Sequence, residues 1–536
     1  MTVADLLAAR RDDPRPGLVH ATDGRRWTWA AVVAESARRA RWLAARAAPG
    51  RPAHVGVLLD NDPETVFLLG GAALSGAVVV ALNPARSPDE IQADAERADC
   101  DLVVASARHA ARLASRARPP VVLLDDHVAA LPEDGPDTAV PVTDTTLLML
   151  IFTSGTSGDP RAVRVTHRKV EVPGAVLADR LLTPDDVVYC PMPLFHSGAI
   201  MAALAPALAA GACLVIRPRF SASGLLRDVR AHGCTYLHYV GKALSYALAT
   251  EPTPDDAANP LRVAFGNEAA PAEQDAFARR FGCHVIDAYG SSETAISFAP
   301  GPDTPRGSLG RLTPGVAILN ADGEPCPPAA FDAHGRLTNA ADAVGELVAR
   351  DHGLFDGYYR DDAPDRLRDG AFHSGDLAYR DADGHVYFAG RAADRLRVDG
   401  ENLAPVPIER ALAGLPGVRR LAVYGVPDQA SGDQVMVALV TDAFDPDAFA
   451  AHLRGRRDLA PVAMPRYVRI TAELPMTASG KVLGRVLAAE RWHTADPVWW
   501  RPGRDLAYRR MTPEDRAALA AGFARRGRSS LLEGNR

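Results

Sequence analysis

Nine residues, Thr153 to Arg161 (TSGTSGDPR), hold the densest chemistry in the chain. The hydroxyls of Thr153, Ser154, Thr156 and Ser157 are donors. Gly155 and Gly158 let backbone N–H groups turn toward one centre with no side chain in the way. Arg161 adds a permanent positive charge. Such a set suits a polyphosphate, although composition alone is equally met by a flexible Ser/Gly hairpin. Neither GxxxxGKS/T nor GxGxxG occurs in the sequence, which excludes the common P-loop and dinucleotide fingerprints.

A phosphate loop needs a rigid frame. LLMLIF (147–152) runs into it as an apolar strand, and AVRV (162–165) leaves it as a second one. Upstream, HVGVLLD (54–60), AVVVAL (77–82), DLVVAS (101–106) and VVLLDD (121–126) alternate with helix-type segments such as Ala30–Ala48. That alternation predicts an α/β layer with a largely parallel sheet. VVYCPMPLFHSGAI (187–200) delivers His196 on a turn, and Tyr239, Val240 and Gly241 sit where the strand TYLHYV meets a helix. Ligands favour such strand ends in α/β sheets. RVAFGNEAAP (262–271) and HVIDAYGSSETA (284–295) each read as strand then loop. Residues 394 to about 490 read as a small α+β domain with strands LAVYGV and QVMVALV.

The chain has 536 residues, enough for more than one domain, and a net charge of −6. That balance gives no global attraction to nucleic acid or to an anionic membrane, so no nucleic-acid partner is expected. The six cysteines are scattered singly without a CxxC pair, which fits a reduced, cytoplasmic compartment. Val66–Leu82 and Ala199–Ile216 are uncharged and nearly long enough to span a bilayer. Both contain Gly breaks and switch from Ala/Leu to VVV or CLVI, so each predicts a buried helix–turn–strand unit and no integral membrane segment.

TSGTSGDPRAVRVTH resembles the phosphate-loop signature of the adenylate-forming superfamily: acyl-CoA synthetases, peptide-synthetase adenylation domains and luciferases. YGSSE (289–293), VGELVARDHGLFDGYYR (344–360), HSGDLAYRDADGHVYFAGR (373–391) and PMTASGKVLGRVL (475–487) resemble later landmarks in the same order, so the resemblance covers nearly the whole chain. FSAS, YVGK and Ala162, where most relatives have Gly, resemble the fatty-acid transport protein and very-long-chain acyl-CoA synthetase branch. Arg161 stands where the family usually has Lys, and Ser292 where it prefers Thr.

The resemblance implies an α/β fold. A large N-terminal domain, 1–392, would be built of αβ-layered subdomains with parallel-rich sheets and a small β-barrel-like part. A smaller, mobile α+β C-terminal domain, 393–536, would follow. It assigns the β- and γ-phosphates to Thr153, Ser154, Gly155, Thr156, Ser157, Gly158 and Arg161. Adenine and ribose fall to Gly266, Asn267, Glu268, Asp287, Ala288, Tyr289, Gly290, Ser291, Asp376, Phe388 and Arg391. The chemistry agrees residue by residue: Tyr289 offers a π face, Gly290 admits close backbone approach, Ser292 is a donor, Glu293 is a hard oxygen ligand for Mg2+, and Asp376 accepts from both ribose hydroxyls. His196, Gly198, Tyr239, Val240 and Gly241 would border the acyl group, the small residues hinting at room. Lys481 would be catalytic, Ala393 the hinge, and Gly400, Glu401 and Asn402 the CoA side.

Relatives that activate amino acids place an Asp near residues 195–197, whereas this chain reads Phe195-His196-Ser197. A substrate ammonium would be buried unpaired there, which points to a non-amino acid. The implied reaction activates a hydrophobic carboxylic acid, long-chain or bulky polycyclic, with ATP and Mg2+ to an acyl-adenylate and then forms a CoA thioester. Ala393, and Asp399 where the branch often has Lys, keep open a reading in which the acyl-adenylate passes to a carrier protein or partner enzyme. A homodimer is compatible with either. A silent nucleotide- or lipid-binding relative is disfavoured by the intact Glu293, Asp376, Arg391 and Lys481.

Overall fold

The structure is a computed structural model. It describes every residue except 114–118, 134–139, 154–159, 302, 334, 336, 399–400, 431, 457–458, 477–481, 504 and 533–536, and only the backbone at 393, 401 and 402. The chain divides into two compact units: Met1–Gly301 with Asp351–Asp369, and Pro302–Arg350 with Gly370–Arg536. This division differs from the functional boundary after residue 392 that the sequence suggests, because the sheet holding Asp376 groups with the C-terminal segment.

Two parallel-rich sheets build the first unit. One runs in the order Val121–Leu123, Leu102–Ala105, His54–Leu58, Val78–Ala81, Leu147–Thr153, Arg161–Thr166. Its strands are parallel except for the last pair, an antiparallel hairpin that sets Thr153 opposite Arg161. The central strands are buried end to end, as near-continuous apolar runs in covered parallel sheets require. The second sheet runs His284–Asp287, Val263–Asn267, Tyr236–Val240, Val187–Cys190, Cys213–Ile216, Pro16–His20, Arg26–Thr28, antiparallel only at its last pair.

The two uncharged stretches are helix–turn–strand units, as expected. Asp62 caps the helix Pro63–Ser75, Gly76 ends it in the left-handed conformation (φ 71°), and Val78–Ala81 follows at once. Gly211 (φ 74°) does the same between Ala205–Ala210 and Cys213–Ile216. Among the described residues no helix is long and apolar enough to cross a membrane. All six cysteines are free thiols, Cys100 partly exposed and the rest buried.

In the second unit an antiparallel half-barrel sheet runs Gly310–Arg311, His385–Arg391, Ala371–Arg380, Gly345–Ala349, Val316–Leu319. The C-terminal α+β part has a sheet in the order Arg420–Pro427, Asp433–Val440, Tyr467–Thr471, Val498–Trp500, Arg509–Arg510. One face packs the helices Pro405–Leu412 and Pro446–Gly455 through Ile408, Leu412, Phe449 and Leu453. On the other, Tyr467 stacks with Trp492 and Trp500 at 5.0 and 6.1 Å beside Leu519 and Phe523. The C-terminal tail therefore completes this core.

Candidate active site

At the carboxyl edge of the seven-stranded sheet, Tyr239 pairs with Gly266 and Gly266 with Asp287, across three neighbouring parallel strands. The Tyr239 side chain is core. Its hydroxyl donates to Asp287 Oδ2 at 2.8 Å, and the Ala269 N–H donates to the same oxygen at 2.9 Å. Burial pushes the Asp287 carboxyl up to about 7. Two glycines permit the backbone to cross here. A Cβ on Gly266 would lie 2.1 Å from the Tyr239 carbonyl oxygen, and one on Gly241 would lie 2.0 Å from that of Glu268. Glu268 itself holds φ at +63°, an unusual value for a residue with a side chain.

His196 precedes a helix that opens with Ser197–Ala199 and widens to one turn of π geometry over Ile200–Leu204. Such widened turns are frequent at functional sites. The His196 ring lies 4.5 Å from Phe195, its Nε2 has no hydrogen-bond partner among the described residues, and burial pulls its pKa down to about 4. Gly198 does not leave room as its small size hints. A Cβ there would meet Nε2 of the buried His238 at 3.0 Å. The space beside Gly241 is likewise taken by protein. Val240 is half-buried at the strand end. Ser197 and Ser292 share a hydroxyl–hydroxyl hydrogen bond of 3.0 Å, which joins this turn to the YGSSE loop. Within that loop Tyr289–Gly290 pairs with Ser297–Phe298, and the Tyr289 ring lies 5.8 Å from Phe298.

The strand pair Leu147–Thr153 and Arg161–Thr166 reaches the same loop through segment 351–369. Tyr358 bridges to Val163 on the return strand, and Tyr359 N–H donates to the Ala162 carbonyl at 2.8 Å. The Tyr358 hydroxyl then donates to Glu293 Oε1 at 2.8 Å, and its own ionisation is pushed far up by burial and by that carboxylate. Lys169, in the first turn of the helix His167–Leu181, is fully buried, and its Nζ donates to the Glu293 backbone carbonyl at 2.7 Å. Burial brings its pKa down to about 7. Arg161 is bidentate to Asp365 at 2.7 and 3.0 Å and reaches Asp361 through Nε at 2.9 Å. Its guanidinium also lies 5.4 Å from the centre of the Tyr358 ring, so its charge is answered by carboxylates of its own unit.

In the second unit Asp376 and Arg391 are direct partners on adjacent antiparallel strands, with Nε 3.3 Å from Oδ1. Asp376 is buried, and its N–H donates to Ser374 Oγ at 3.0 Å. From the neighbouring strand, Glu346 accepts from Gly375 N–H at 2.8 Å. Phe388 lies opposite Ala378 on the same ladder. Ser154, Gly155, Thr156, Ser157, Gly158, Gly400 and Lys481 lie outside the described residues, as do the side chains of Ala393, Glu401 and Asn402. Around these last three positions the backbone shows a 3-10 turn at Ala392–Asp394 and Glu401–Leu403 paired with Leu396–Val398. Sequence reasoning missed Lys169, Tyr358, Asp361, Asp365 and His238. Lys169 lies two residues past one recognised segment and Tyr358 within another, but neither type announces a role.

A family model described as AMP-binding enzyme matches residues 8–359, and one described as AMP-binding enzyme C-terminal domain matches 407–481. The chain belongs to the AMP-binding enzyme family. It is 43% identical over 550 aligned residues, covering 99% of both chains, to a steroid-22-oyl-CoA synthetase of Rhodococcus jostii. It is 45% identical to a medium/long-chain-fatty-acid–CoA ligase of Mycobacterium marinum, covering 89% of this chain and 94% of that one. The fold is that of ATP-bound MatB from Rhodopseudomonas palustris (TM-score 0.78, 24% identity, 91% of this chain and 98% of that one). This AMP-binding enzyme is an adenylate-forming acyl-CoA synthetase, an AMP-forming acid–thiol ligase that uses ATP and CoA.

Proposed function

We propose that the enzyme activates a large hydrophobic carboxylic acid, a long-chain fatty acid or a bulky polycyclic acid of the steroid side-chain kind. The observation that carries the non-amino part of this reading is the turn at Phe195-His196-Ser197, which holds no carboxylate to pair with a substrate ammonium. The names of relatives 43–45% identical across most of the chain support it.

In the first half-reaction a substrate carboxylate oxygen attacks the α-phosphorus of ATP and pyrophosphate departs. The hairpin residues 153–158 and Arg161 hold the departing phosphates. The segments 266–268 and 287–291, with Asp376, Phe388 and Arg391, orient the nucleoside. Ser292 donates to phosphate oxygen, and Lys481 neutralises charge where carboxylate and phosphate meet. Glu293 would hold Mg2+. A carboxylate with one oxygen engaged by Tyr358 retains lone pairs of the hard-oxygen kind that ion prefers, and the ion would supply charge neutralisation on the phosphates. In the second half-reaction the CoA thiol loses its proton, its sulfur attacks the acyl carbonyl, and AMP leaves. We place the pivot at Ala393, with 393–536 moving between the two steps and Gly400, Glu401 and Asn402 beside CoA. The scattered free thiols support a cytoplasmic setting.

The test is a panel of carboxylic acids assayed for ATP-dependent pyrophosphate release, with and without CoA. Steroid side-chain and long-chain acids should lead it by at least tenfold in kcat/KM, with an acyl-CoA product. Preference for short, polar or amino acids would overturn the substrate assignment. Acyl-AMP that never passes to CoA would favour a carrier or partner-enzyme acceptor.

A further inference from the structure

Lys169 is a charged group that the reaction scheme leaves unused. Its side chain is 0% exposed, which is costly for an ammonium with three donors to satisfy. A methionine would fill that space without the cost. Among the described residues its hydrogen bond goes instead to one atom, the backbone carbonyl of Glu293 at 2.7 Å, while the ammonium lies 5.4 Å from the centre of the Phe355 ring. The peptide that carries this carbonyl leads into Thr294, whose φ is +58°. A β-branched residue avoids that region unless its surroundings hold it there. Segment 351–369 holds the other end of the same residue, since Tyr358 donates to Glu293 Oε1 at 2.8 Å. Leu354 N–H also donates to the Thr294 carbonyl at 3.3 Å. Glu293 is thus gripped by its main chain and by its side chain from two different elements.

We propose that Lys169 is a positioning residue that fixes the Glu293–Thr294 peptide in its left-handed turn and so aims the Glu293 carboxylate, with Tyr358 as its counterpart on the carboxylate itself. The inference rests on the reading of Glu293 as the metal ligand. It is tested on the full-length enzyme by electron paramagnetic resonance titration of Mn2+ with ATP in the absence of acid, alongside steady-state kinetics and thermal melting. Lys169→Met should weaken Mn2+ binding about tenfold, in line with the loss of other groups that orient metal ligands. The acid KM should hold, and the melting temperature should stay level or rise because a buried charge is gone. Tyr358→Phe should weaken binding similarly, and the double variant should lose less than the product of the two, because both act through Glu293. Wild-type Mn2+ affinity in Lys169→Met overturns the inference. So does a variant that melts lower and loses acid and nucleotide affinity alike, which would mark Lys169 as merely structural. Glu293→Gln separates the two levels. If it binds Mn2+–ATP like wild type, the metal assignment itself falls; if it weakens binding while Lys169→Met does not, only the role of Lys169 falls.

Discussion

Asp376 and Arg391 are neighbours because one antiparallel hairpin makes them so. Fifteen positions apart in the chain, they face each other in the register of the ladder between Ala371–Arg380 and His385–Arg391. Glu293, Tyr358 and Lys169 meet by another route. They come from a loop, a bridging segment and a helix separated by 65 and 124 positions, and their grip passes through a buried ammonium and a strained turn. A register-built pair is local, partly open and tolerant of change around it. A pair built by tertiary packing depends on many buried groups at once.

Four changes separate these two ways of building a site. The largest effect belongs to neither, because the proposed mechanism gives Lys481 the point charge at the reacting centre. Lys481→Ala should slow adenylation about 10²–10³-fold, read as acid-dependent pyrophosphate exchange. Next comes the buried support of the first unit. Burial pulls the His238 pKa from 6.5 to about 4. Between those values the unfolded chain binds more protons than the folded one, so the stability His238 contributes at neutral pH is lost as pH falls toward 4. His238→Asn should remove that loss, as much as about 3 kcal/mol, from urea unfolding compared at pH 7 and pH 4.5. In the register-built pair, Asp376→Asn should raise the ATP KM about 10–100-fold through the charge-assisted hydrogen bonds it removes, with the melting temperature nearly unmoved. The smallest effect concerns Arg161, whose fork is held by partly exposed carboxylates. Asp365→Asn should lower the ATP KM about threefold by freeing the guanidinium for phosphate. A raised KM would show instead that Arg161 serves as a strut for segment 361–365.

Legibility follows the same division. HSGDLAYRDADGHVYFAGR was readable because its turn is written locally. Asp381 accepts from the N–H groups of Asp383 and His385, Gly384 takes φ 82°, and the strand register then places Asp376 against Arg391. The parallel sheets were readable from buried runs such as HVGVL and VVVA. Gly198 and Gly241 were not readable in the same way. Gly198 and Gly241 look like vacancies in a string of letters, whereas His238 and the Glu268 backbone occupy them.

By itself the sequence determined the layered α/β order, the helix–turn–strand units, the hairpin pair and the family, since each is carried by short-range patterning of apolar, glycine and turn residues. Only the tertiary structure decided that Tyr239 supports Asp287, that Arg161 is answered by Asp361 and Asp365, and that Lys169 is spent on the Glu293 carbonyl. Those are contacts between residues tens to hundreds of positions apart, and the free energy of burying a polar group depends on what surrounds it in space, which no local pattern records.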